Sequence, residues 1–183
     1  MNAGKAKFGL VSTPERAVIS IGLLVGVVLG AVGGAVGRGT AQNALFALSS
    51  MGLVAAYVVL AIGHAHRRHT LTASGFVILA IGEALIATGD PSNAHGYSSA
   101  FAGGVMYYIP GLLLISLPEV MPLVVRLLGL LAALPWVVFA IQNWKGQAPA
   151  SDSTLATVGY LLLSATIIGW IVASARSSDT ENA

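Results

Sequence analysis

Six stretches of the 183-residue chain are each long enough and apolar enough to cross a bilayer, and only one of them carries an acid in its interior, Glu83. A hydrocarbon core of ~30 Å takes about 20 helical residues at a rise of ~1.5 Å each. The segments predicted to span it are Ala17–Gly37, Asn43–Gly63, Leu71–Gly89, Ala100–Leu117, Leu123–Ile141 and Thr154–Ser174. Lipid offers no partner for backbone N–H and C=O groups, so each segment has to be a helix. The expected fold class is all-α: a single integral membrane bundle of six transmembrane helices over residues 1–183, with no second domain.

Composition points the same way. Hydrophobic residues make up 56% of the chain and charged residues 9%, against about 25% charged in soluble domains. So few charges could not keep a soluble surface wet, which makes the lipid bilayer the expected partner. Cysteine is absent, which excludes disulfides, thiol catalysis and thiolate metal sites. Nine basic side chains stand against seven acidic ones, and no basic run exceeds Arg67-Arg68. Such an excess reads as a topology signal, with no nucleic-acid partner expected. Lys5 and Lys7 before an apolar run resemble a signal peptide, but Ala17–Gly37 is longer than a usual signal core and is read as the first permanent span.

Orientation follows from Lys and Arg placement. With both termini cytoplasmic, the inner side collects Lys5, Lys7, Arg16, Arg67, Arg68, Arg126 and Arg176, and the outer side only Arg38 and Lys145. Seven against two is decisive for loops this short, and it predicts a multi-pass protein of the cytoplasmic (inner) membrane. The tail Ser177–Ala183 is polar and expected to be disordered. Thr13-Pro14-Glu15 marks a helix start by a hydroxyl cap, a proline in the first turn and an acid beside it. The longest loops, Asp90–Ser99 and Gln142–Ser153, fall outside and hold His95, Tyr97, Asn143, Trp144, Lys145 and Asp152. Tyr97 and Trp144 suit the headgroup region, where a ring has apolar and wet neighbours at once.

In the first span Gly22, Gly26, Gly30 and Gly34 recur every four residues, with Gly33 and Gly37 beside them. Residues four apart share a helix face, so this face is a groove without side chains. In lipid, close backbone approach is a main source of helix association. The groove is expected to pack either against another helix of the same chain or against a second copy or another membrane protein.

Glu83 lies twelve residues into the third span and six from its outer end. That is ~9 Å from the boundary, too deep for a short side chain to reach bulk water. Burying such a group costs about 2.5–3.5 kcal/mol, so it should face the bundle interior. Alternating helix directions bring Ser49, Ser50, Tyr107, Tyr108, Trp136 and Tyr160 to the same depth, while the inner half offers little that is comparable. The expectation is an outward-opening pocket, with Glu83 hydrogen-bonded to Tyr107 or Tyr108 and walled by Trp136 and Tyr160. Pro110 and Pro135 at that level would open the helices and free carbonyls. The competing reading is that Glu83 bonds a Tyr or Ser only to fix packing.

Gly63-His64-Ala65-His66-Arg67-Arg68-His69 crowds three imidazoles and two guanidiniums into the inner connection of spans two and three. Adjacent arginines disfavour a cation, so neither a metal nor a cofactor is expected, and the stretch reads as a basic turn at the headgroups. No histidine falls inside a span with these boundaries.

The chain resembles the bacterial multi-pass membrane family called domain of unknown function 4386. Arg67-Arg68-His69, Gly75, Glu83-Ala84 and Gly89 carry the resemblance, together with Leu117-Pro118, Pro122 and Gly129. It covers roughly spans two to five and leaves the glycine ladder unaccounted for. Where that family often has a basic residue one turn before the acid, Ala80 stands here. The resemblance implies a six-helix bundle and no chemistry.

The motifs of serine hydrolases, zinc proteases and P-loop enzymes are missing. The leading expectation is a protein that binds or transports a small molecule or proton at Glu83. A membrane isomerase or cyclase is the first alternative, using Glu83 as general acid on a lipid-like substrate with help from Tyr107, Tyr108 and Trp136. The second is a non-catalytic subunit joined through the glycine face.

Overall fold

The computed structural model describes residues 13–36, 39–88, 99–146 and 154–176, and all regular structure among them is α-helical. Lys5, Lys7, Arg38, His95, Tyr97, Asp152 and the tail Ser177–Ala183 lie outside the described residues. Seven helices follow one another: α1 (Thr13–Ala35), α2 (Thr40–His66), α3 (Thr70–Thr88), α4 (Ser99–Met106), α5 (Tyr108–Ser116), α6 (Leu123–Trp144) and α7 (Thr154–Arg176). Five are long and apolar enough to cross a membrane, and the pair α4–α5 forms a shorter apolar segment over Ala100–Ser116.

Each helix packs on its neighbour in the chain, and α7 returns to α1, so the helices close into a ring. Across the middle of that ring α7 meets α2 and α3 through large rings, with Trp170 5.1 Å from Phe76 and 6.1 Å from Tyr57. The exterior is apolar: Leu24, Met51, Val124 and Leu161 are all more than half exposed. Polar groups are inside instead, with Ser50, Thr72, Glu83 and Thr166 buried. In water such a distribution would be prone to aggregate, and it matches a hydrocarbon surround.

The fourth apolar segment is two helices, not the single one expected over Ala100–Leu117, and the reason is local. Pro110 has no N–H to offer the carbonyl of Met106, so the helical ladder cannot continue through it. Tyr107 takes up the break: its N–H bonds the Gly104 carbonyl at 3.1 Å, and its own carbonyl accepts from Gly111 at 3.0 Å. At the other end Arg126 holds the last carbonyls of this segment, its Nε donating to Ser116 and its Nη2 to Leu117, both at 2.9 Å.

A second difference lies at the end of α2, which runs past Gly63 to His66. The helix closes on a left-handed residue, Arg68 at φ 62°. The Arg68 N–H bonds the Ala65 carbonyl at 2.9 Å and the His69 N–H bonds the His64 carbonyl at 3.0 Å. These are the paired bonds of a Schellman cap, a position where glycine is usual. His64 is consequently helical and 1% exposed, not part of a surface turn.

Candidate functional site

Both oxygens of Glu83 are occupied by hydroxyls from other helices. Ser50 on α2 donates to Oε2 at 2.9 Å and Tyr108 on α5 donates to Oε1 at 2.5 Å. The carboxyl is 3% exposed, so the two donors stand in for the water it gave up. Tyr108 in turn lies against Trp136 at 5.3 Å, Trp136 meets Tyr160 edge-on at 5.0 Å, and Phe139 closes the group at 6.2 Å from Trp136. The indole N–H of Trp136 is buried without a hydrogen-bond partner among the described residues, leaving one donor within the aromatic wall uncommitted.

The helices reach this geometry through close glycine contacts between α3 and the α4–α5 segment. A Cβ on Gly82 would lie 2.8 Å from the Gly104 carbonyl, and one on Gly104 would lie 2.6 Å from the Gly82 carbonyl. One heptad along, a Cβ on Gly75 would come within 2.8 Å of the Gly111 carbonyl. The two mutual pairs clamp α3 directly on α4 and α5, which sets Glu83 within reach of Tyr108. Their signal was present in the sequence as two matching seven-residue spacings, Gly75/Gly82 and Gly104/Gly111. On α7, Gly159 serves the wall, since a Cβ there would lie 2.7 Å from the Trp136 ring.

Two residues expected at the site are elsewhere. Tyr107 is 38% exposed and faces away from the carboxyl, because consecutive helical residues point ~100° apart and Tyr108 has the inward direction. Ser49 donates to the Gly26 carbonyl at 2.7 Å and so belongs to the contact between α1 and α2. That contact uses most of the glycine ladder. A Cβ on Gly22 would lie 2.6 Å from the Gly52 carbonyl, one on Gly26 would overlap Leu53, and one on Gly30 would lie 3.1 Å from Ser49 Oγ. Gly34 meets nothing within 4 Å.

The other end of the bundle is more polar than expected. His64 stacks on Phe76 with ring centres 5.5 Å apart and 14° between planes, and His69 lies 5.8 Å from it. Thr72 and Tyr57 are fully buried close by, and neither hydroxyl has a partner among the described residues. The boundary drawn at Gly63 hid this layer, since it left His64 outside the second helix.

Chemically, the Glu83 site is an acid held by two hydroxyls in a closely packed aromatic setting. A carboxyl group has a protonated and an ionised form, and neighbouring hydroxyls can hydrogen-bond to either. No family model matches the chain, and no curated protein or solved structure matches it.

Proposed function

We propose that the chain is a six-span protein of the cytoplasmic membrane with both termini inside, and that Glu83 binds and exchanges a proton from the outer half of the bundle. The six-span count takes α4 and α5 together as one broken crossing. The sidedness rests on the seven inner and two outer basic residues. The resemblance noted in the sequence agrees with such a bundle and adds no activity.

One observation carries the functional reading: a buried carboxyl is shared by hydroxyls from two other helices, each oxygen taking one bond. Intramembrane acids are costly and mark ion or proton pathways by default. Trp136 packs on Tyr108 and Tyr160 on Trp136, so a proton is the ligand that fits this closed arrangement. A small solute would require the break at Tyr107 to open.

Glu83→Gln separates this from a packing role. The amide keeps the shape, accepts from one hydroxyl and donates to the other, so folding should persist. The measurement is infrared difference spectroscopy of protein in liposomes over a pH titration. A carboxyl band that responds to pH in the native protein and is missing in the Gln variant is expected. The same band in both, or none in either, rules the reading out.

A further inference from the structure

The seam between α2 and α3 is registered along its whole length. On α2 the buried stripe is Ser50, Leu53, Tyr57, Leu60 and His64, and on α3 Thr72, Phe76, Leu79 and Glu83, with His69 just before the helix. Steps of three and four residues keep one face in line on each helix. The two helices run antiparallel, and every seven residues along one match seven along the other. Ser50 meets Glu83 at 2.9 Å, Tyr57 meets Phe76 at 6.1 Å, and His64 meets His69 at 5.8 Å. Polar or titratable groups thus occur at both ends and in the middle of one continuous contact, about 10.5 Å per heptad.

We propose that this seam conducts protons between Glu83 and the His64–His69 pair, with the Tyr57 hydroxyl as the relay between them. The proposal rests on Glu83 being a proton site and extends it to a second one at the opposite end. Helical side chains lean toward the N-terminus of their own helix. Tyr57 therefore leans toward Ser50, and Glu83 on the antiparallel α3 leans toward Tyr57. Three buried polar atoms along this route, Tyr57 OH, Thr72 Oγ1 and His69 Nδ1, have no partner among the described residues. Buried polar groups that lack a protein partner are commonly satisfied by ordered water where the site has room for it.

In each passage an imidazole nitrogen takes a proton from the aqueous side and hands it through water to the Tyr57 oxygen. That hydroxyl releases its own proton to the Glu83 carboxylate, which later gives it up to water on the outer side of the bundle. Only O–H and N–H bonds break and form, and one proton crosses per pass. The groups bearing on the ends are His69 and Arg67 at His64, and Ser50, Tyr108 and Tyr57 at Glu83.

The test uses the full chain in liposomes holding a pH-sensitive dye, with a potassium gradient and valinomycin setting the potential. Native protein should admit protons faster than empty liposomes. Tyr57→Phe, which keeps the ring packing, should slow this by about tenfold or more, and Thr72→Val should slow it too. Glu83→Gln should abolish it. Equal flux in native protein, Tyr57→Phe and Thr72→Val overturns the relay, as does native flux no greater than that of empty liposomes. Infrared titration of the same samples keeps the two readings apart. If the Glu83 band responds to pH while flux ignores Tyr57, the relay fails and the proton site stands; if the band is absent, the site itself fails.

Discussion

Tyr108 donates its hydroxyl to Glu83 at 2.5 Å from the first residue of a helix that begins where another has just broken. The break at Tyr107 turns one tyrosine of an adjacent pair into the core and its neighbour outward. The break and the inward turn of Tyr108 thus fall together, within one helical turn of Pro110.

Removing that hydroxyl should be measurable. Tyr108→Phe leaves the ring against Trp136 and takes one bond from the buried carboxyl. Interhelical hydrogen bonds in membranes contribute about 0.6 kcal/mol on average and up to about 1.7, so the loss should fall near the upper value because an acceptor is left bare. Tyr107→Phe should cost nothing detectable. Unfolding in detergent–denaturant mixtures compares the two, and equal effects would contradict the assignment.

The glycine face of α1 makes a graded forecast. Gly22→Leu drives side-chain atoms into the backbone carbonyl of Gly52, which cannot move aside, and overpacking of this kind costs about 1–3 kcal/mol. Gly34→Leu enters open space and should change stability by less than about 0.5 kcal/mol. A change of assembly state with Gly34→Leu in size-exclusion chromatography would reveal a contact between chains at that end.

Gly104→Ala tests the clamp beneath the site. Its methyl group would sit 2.6 Å from the Gly82 carbonyl, so α4 must move away from α3. Lower thermal stability should then come with altered near-ultraviolet circular dichroism from Tyr108 and Trp136. Loss of stability with unchanged aromatic signals would mean that the clamp and the site are independent.

At the opposite end, Arg68 occupies a left-handed position that disfavours a β-branched residue. Arg68→Val should lower stability by about 1–2 kcal/mol, whereas Arg68→Gly should leave it equal or higher. Because the cap also sets His69 beside His64, the valine variant should shift the imidazole signals of both histidines in nuclear magnetic resonance spectra. The glycine variant should not.

Much of this is legible in the sequence. A lone acid among apolar residues identifies itself, and the helices follow from uninterrupted hydrocarbon-like runs. Rotation about a helix axis is harder to read: Tyr107 and Tyr108 differ by one position, and only the break at Pro110 decides which one enters. Ser49 and Ser50 posed the same ambiguity, resolved by the close approach of α1 at Gly26. His64 was missed because Gly63 looks like a terminator, while the residue that ends the helix is an arginine in a glycine-like conformation. The seven-residue matches Ser50/Tyr57/His64 and His69/Phe76/Glu83 were visible but had no significance until the two helices were known to be antiparallel neighbours in that register.

The ring order of the helices, each seated on its predecessor in the chain, bears on biogenesis. During synthesis α2 leaves the ribosome before α3, so Ser50 is made before Glu83, and Tyr108 follows in the next helical segment. The acid thus finds one partner on the helix made just before its own, whereas the contact of α7 with α1 can form only after the last helix has been made.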